Sequence, residues 1–79
     1  MSLVTVRYFA SLRDQAGIDT ESVDADSTLA ALYDVLGARH GWRLARERLR
    51  VAVNGAFASW DALPHDGDEV VFIPPVSGG

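Results

Sequence analysis

The chain has 79 residues, 48% of them apolar and 23% charged, with a formal net charge of −4 and no cysteine. A single small domain over residues 1–79 is expected, with a modest core and little room for a carved substrate pocket, which argues against a self-contained enzyme. The absent cysteine excludes a disulfide framework, a zinc-thiolate centre and a thiol nucleophile. No apolar run approaches the roughly 18 residues of a membrane span, and Met1-Ser2-Leu3-Val4 lacks the charged start of a signal peptide, so a soluble cytoplasmic protein with no membrane partner is expected.

In chain order, residues 3–9 alternate. Val4, Val6 and Tyr8 fall on one face and Leu3, Thr5, Arg7 and Phe9 on the other, as in a strand with one buried side. Ala10 to Ala16 predicts a short helix, with Gly17 placed just past its end. Thr20 to Ala25 reads as a polar edge strand. Asp26 and Ser27 are suited to cap a following helix, in which Leu29, Leu32, Tyr33 and Leu36 recur at helical spacing. Gly37 costs that helix about 1 kcal/mol relative to alanine, so fraying is expected there before Gly41 ends it. Trp42, Leu44, Ala45 and Leu49 predict a loose helical turn returning to the core.

Arg50 to Val53 and Ala56 to Ser59 flank Asn54-Gly55, the pair that best accommodates the positive φ angles of a tight hairpin turn. Leu63 to Asp68 is a turn region, and Glu69 to Ile73 a last strand rich in β-branched and aromatic residues. The strongly apolar first and last strands are the natural central pair, parallel to each other with the helix in the crossover. The expected fold is therefore α+β: a ubiquitin-like β-grasp roll, a mixed sheet of about five strands with one main helix on one face.

All seven basic residues are arginine, and Arg39, Arg43, Arg46, Arg48 and Arg50 crowd into one stretch. Only Trp42 interleaves them with an aromatic ring, and the chain as a whole is acidic. A solvated turn is expected rather than a nucleic-acid site. His40 and His65 have no nearby nucleophile or ligand spacing and read as ordinary surface or loop residues. Asp66, Asp68 and Glu69 read as a turn rather than a metal cluster, and no bound metal or cofactor is expected.

Proline cannot donate to a sheet ladder, so Pro74 and Pro75 stop the last strand. They also favour the extended polyproline conformation, in which the tail, residues 74–79, reaches about 19 Å at roughly 3.1 Å per residue. Gly78 and Gly79 lack a Cβ and suit passage through a narrow channel. A carboxylate on Gly79 could thus be carried deep into another protein. Phe9, Phe57 and Ile73 lie opposite in phase to the inward residues. They are expected on the sheet face away from the helix, as a docking surface with Arg13 at its rim.

Val4 to Phe9 with Ala10-Ser11-Leu12-Arg13, then Val53-Asn54-Gly55, Asp66-Gly67-Asp68-Glu69-Val70 and Phe72-Ile73-Pro74-Pro75-Val76-Ser77-Gly78-Gly79 resemble the MoaD family, the small sulfur-carrier subunits of molybdopterin synthase. The likeness runs end to end, and the Pro-Pro-Val-Ser-Gly-Gly ending is its specific part. The resemblance implies that a MoeB-type enzyme uses ATP to adenylate the Gly79 carboxylate. A sulfur donor protein then makes the thiocarboxylate. A MoaE-type large subunit, in a heterotetramer, accepts the tail from Pro74 through Val76 and Ser77 to the terminus, and the sulfur passes to cyclic pyranopterin monophosphate. Carriers of the ThiS or tRNA-thiolation type, and ubiquitin-like protein modifiers, share the fold and activation and stay open as alternatives.

Overall fold

The computed structural model describes residues 2–42 and 44–74. The tail from Pro75 to Gly79 lies outside them. Five strands, β1 (Leu3–Tyr8), β2 (Thr20–Asp24), β3 (Arg50–Val53), β4 (Ala56–Ala58) and β5 (Glu69–Ile73), form one sheet in the order β2-β1-β5-β3-β4. β1 and β5 pair in parallel, with Val6 opposite Val70 and Tyr8 opposite Phe72, and the other pairs are antiparallel. The main helix, α2 (Leu29–His40), lies over one face, and a short α1 (Ala10–Ala16) follows β1. This is the α+β roll expected from the order of elements.

The alternation in β1 decides which face is covered. Val4, Val6 and Tyr8 are buried with Val70, Phe72 and Val51 beneath Leu29, Leu32, Tyr33 and Leu36 of α2. Phe72 sits at the middle of an aromatic layer. Its ring stacks on Trp60 at 5.9 Å and meets Tyr33 edge-on at 5.2 Å. Rings at these separations add to the stabilisation that their buried area provides.

Helix ends follow local chemistry, with one correction. Asp26 and Ser27 do not cap α2; Thr28 does, its Oγ1 accepting the Ala31 N–H at 3.2 Å. Thr28 is the last extended residue before the apolar repeat starts at Leu29, which sets its hydroxyl three residues ahead of an orphan donor. The helix does not fray at Gly37. The Gly37 carbonyl accepts N–H groups from both Gly41 and Trp42, closing the end around left-handed Gly41. The loose turn expected after Trp42 is a single 3₁₀ turn, Arg46–Arg48.

The hairpin turn uses positive φ at Asn54 and Gly55, as its sequence requires. Asn54 also ties it to β5: its Nδ2 donates to Asp68 at 2.9 Å and its Oδ1 accepts the Glu69 N–H at 2.9 Å. β4 stops at Ala58 rather than Ser59, because the Ser59 hydroxyl accepts the Asp61 N–H in a local turn. The backbone N–H of His65 and the amide of Asn54 hold the Asp68 carboxyl below its ordinary range.

One polar cluster joins the helix to the edge strand. Glu21 opposes Val6 and so faces inward. Its carboxylate accepts the Tyr8 hydroxyl, meets His40 Nε2 at 2.7 Å and lies 3.7 Å from the Arg39 guanidinium. The His40 side chain is only 12% exposed, so it is no surface residue; it pins the last turn of α2 to β2. An inward-facing charge also guards an edge strand against further pairing. Burial raises the Glu21 pKa, but hydrogen bonds from Tyr8 and His40 and the neighbouring positive charges outweigh it and hold the carboxyl below its ordinary value. Burial, then the hydrogen bond to Glu21, pushes the Tyr8 phenol far above its usual range.

Since Glu21 is more acidic in the folded than the unfolded chain, its stabilisation is complete above the unfolded pKa and is lost as pH falls through the folded one. Glu21→Gln is expected to cost about 1–3 kcal/mol at neutral pH. Its stability deficit against the unsubstituted protein should narrow as pH is lowered below the ordinary value of 4.5. Urea unfolding midpoints of both proteins across that range check this, and a deficit independent of pH would contradict it.

Candidate functional site: the outer sheet face and tail exit

Pro74 follows β5, a strand flanked on both sides, so the last described residue lies at the centre of the sheet. Around it lie the far end of β1, the start of β3 and the end of α2. Register sets the outer face residue by residue. Arg7, Val71, Ala52 and Phe57 form one row across four strands, and Ile73 opposes Arg50 in the next.

Phe57 is 69% exposed and Phe9 45% exposed, as their phase predicts. Ile73 is only half-buried rather than fully exposed. The difference comes from position: Phe57 sits on edge strand β4, whereas Ile73 sits between β1 and β3 and is shielded from both sides. Phe9 directly follows Tyr8 and Ile73 directly follows Phe72, so the parallel pairing of Tyr8 with Phe72 brings these two to the same end of the sheet. Pro74 is half-buried there. Pro75, Val76, Ser77, Gly78 and Gly79 lie outside the described residues.

Arg13 sits on α1, on the β2 side of β1. It lines an open groove of about 430 Å³ with Arg7, Tyr8, Phe9, Asp19 and Thr20, and its Nε is 3.7 Å from Asp19. Both groups of that pair are largely exposed, so it contributes little to stability. The register thus brings Phe9, Ile73 and Pro74 to one end of the sheet, while Arg13 lies beside Phe9 on the β2 side and Phe57 lies on the far edge strand β4.

Two features escaped the sequence reading. The Arg50 guanidinium lies over the Phe57 ring, 5.6 Å from its centroid. Only the register of β3 with β4 reveals this contact. The Tyr8–Glu21–His40 cluster was the other. Its signal was the shared phase of Glu21 with Val23 and Ala25, which sets the carboxylate inward. Among the described residues no group of histidines and carboxylates could hold a metal ion, and no helix is long and apolar enough to cross a membrane.

Comparisons with known proteins identify the family. The ThiS family model matches residues 6–79. The molybdopterin synthase sulfur carrier subunit of Escherichia coli is 42% identical over 98% of this chain and 100% of its own length. Among solved structures, a putative molybdopterin converting factor subunit 1 from Pyrococcus furiosus superposes with a TM-score of 0.80 at 31% identity, covering 96% of this chain and all of that one. The small archaeal modifier protein SAMP1 of Haloferax volcanii also superposes at 0.80, with 30% identity over 99% of this chain and all of its own. On these grounds the chain belongs to the ThiS family and, within it, to the MoaD sulfur-carrier subunits.

Proposed function

We propose that this protein is the sulfur carrier of molybdopterin synthase and that its reactive group is the carboxylate of Gly79. The full-length likeness to sulfur carrier subunits is the observation that carries the reading. The position of Pro74, directly after the central strand β5, supports it.

In the proposed cycle a MoeB-type enzyme binds the outer face and admits the tail. A Gly79 carboxylate oxygen attacks the α-phosphate of ATP, pyrophosphate leaves, and an acyl-adenylate forms. Sulfur from a donor protein replaces the adenylate at the carbonyl carbon, AMP leaves, and the terminus becomes a thiocarboxylate. A MoaE-type large subunit then accepts the same tail, and the sulfur is transferred to cyclic pyranopterin monophosphate, with two carriers and two large subunits assembled together. The chain contributes no side chain to the chemistry. It supplies reach, through the residues from Pro74 to Gly78, and docking, through Phe9, Phe57, Ile73 and Arg13. The cytoplasm, which supplies ATP, is the proposed compartment.

The similarity to SAMP1 favours a second reading, in which the same activated terminus is joined to amines of target proteins. The two readings share activation and differ in the acceptor.

Incubation with the cognate MoeB-type enzyme, ATP and a sulfur donor is expected to raise the intact mass by the difference between one sulfur and one oxygen, localised to Gly79. An unchanged mass would sink the carrier reading, and isopeptide adducts on other proteins in place of sulfur transfer would favour the modifier. Separately, Phe57→Glu should leave the circular dichroism spectrum unchanged, since the side chain is 69% exposed. It should weaken binding to the MoaE-type subunit at least about tenfold, as titration calorimetry would read. Unaltered affinity would remove Phe57 from the docking face.

A further inference from the structure

The turn between β3 and β4 sets a side-chain amide beside an unhindered backbone nitrogen. Asn54 is the only asparagine in the chain, and glycine follows it. Both residues are exposed and both stand at positive φ, 52° and 87°. Gly55 has no Cβ, and apart from its chain neighbours no atom lies within 4 Å of the place where one would stand. Among the described residues no backbone carbonyl accepts the Gly55 N–H. The nitrogen is therefore free, and water reaches the turn.

What restrains the pair is the hold of Asn54 on β5. Its Nδ2 donates to Asp68 at 2.9 Å, its Oδ1 accepts the Glu69 N–H at 2.9 Å, and its backbone N–H donates to the Glu69 carbonyl at 2.9 Å. Both ends of the side-chain amide are thus fixed to a strand distant in sequence. The Asp68 carboxylate is itself fixed, since it also accepts the His65 N–H at 2.8 Å. Attack at the Asn54 Cγ makes that carbon tetrahedral and expels Nδ2, so it has to give these side-chain bonds up. Such bonds open by local fluctuation at a turn, without global unfolding.

We propose that Asn54 is a site of spontaneous deamidation whose rate is set by the opening of this side-chain clamp onto Asp68 and Glu69. The Gly55 nitrogen forms a bond to Cγ and gives up its proton. The Cγ–Nδ2 bond breaks, and Nδ2 leaves with that proton as ammonia. Water then adds to one carbonyl of the succinimide ring, which opens to aspartate or isoaspartate. Nothing is oxidised or reduced. Either product carries a carboxylate in place of the donor that Asp68 held, and like charges facing each other across a sheet destabilise the pairing. Isoaspartate also adds a carbon to the main chain of a turn whose length fixes the register of β4. The product therefore loosens the hairpin that carries Phe57 from β5. The inference stands independently of the sulfur-carrier reading.

Intact mass and peptide mapping of the full chain at neutral pH, folded in buffer and unfolded in guanidinium chloride, test this. The mass should rise by the exchange of an amide NH2 for OH, localised to Asn54, with isoaspartate among the products. The folded chain should react at least about tenfold more slowly than the unfolded one, because the rate follows the population of the open clamp. Asp68→Ala removes the acceptor of Nδ2 and should raise the folded-state rate at least about threefold. If circular dichroism shows that variant to be unfolded, the parent's own folded-to-unfolded ratio decides. Gly55→Ala, compared in denaturant so that strain in the turn does not enter, should slow the reaction several-fold. Asn54→Asp should lower the urea midpoint. Equal rates in the folded and unfolded chain, or a folded Asp68→Ala variant that reacts at the parent rate, would overturn the clamp. An Asn54→Asp midpoint equal to the parent's would overturn the loosening of the hairpin.

Discussion

The parallel pairing of the first strand with the last is the constraint on which the rest of this domain depends. Val6 lies beside Val70 and Tyr8 beside Phe72, although more than 60 residues separate the partners in sequence. Two parallel strands cannot be joined by a tight turn, so a crossover is obligatory and α2 lies within it. The pairing also places β5 in the interior of the sheet, where it is held on both sides. The tail base therefore exists only when nearly the whole chain has folded, because its supporting contacts are among the most non-local in the molecule. A partner that engages the tail and its platform together is in effect reading the completed fold.

The two faces of the sheet divide the work. The inner face is closed by α2 and an aromatic layer around Phe72, with no buried polar or charged residue among the described residues. Trp42 strains that rule, since its Nε1 is buried with no hydrogen-bond partner among the described residues. At the β2 edge the inward carboxylate of Glu21 is satisfied by Tyr8 and His40, which locks the end of the helix beside the tail exit. The outer face carries small and β-branched residues, Ala52 and Val71, between Arg7 and Phe57. A flat apolar strip bounded by arginines gains from contact with another protein in a way that a helix-covered face cannot.

Much of this was legible from pattern. The alternation from Leu3 to Phe9 foretold both faces of β1, and Asn54-Gly55 foretold the hairpin, because each rests on a local rule with one dominant outcome. What pattern could not supply was anything set by register. Whether Glu21 finds a partner depends on where α2 ends, and whether Arg50 meets Phe57 depends on the pairing of β3 with β4. Composition gave no hint that His40 is enclosed, since a histidine at a helix end beside a glycine usually faces solvent. Thr28 was passed over for Asp26 and Ser27 because all three have capping side chains, and only the position of the first helical turn distinguishes them. The candidate site divides the same way. The exposure of Phe9 and Phe57 was readable from phase, while the half-burial of Ile73 follows from the strand order.

On the proposed reading the reactive group is the end of the chain itself, so the side chains available to it decide what it can react with. Once adenylated or thiolated, the Gly79 carbonyl would be open to any nucleophile within reach. The chain contains neither lysine nor cysteine. All its basic residues are arginine, a side chain that does not attack acyl groups at physiological pH. The Tyr8 phenol is kept neutral by burial and by its hydrogen bond to Glu21. His40 Nε2 is engaged by the same carboxylate. His65, the exposed histidine, lies at the other end of the sheet beside Asp68. On the carrier reading, an activated terminus would thus meet no amine or thiol side chain of its own chain. Lysines in place of these arginines would carry the same charge but would compete for that terminus.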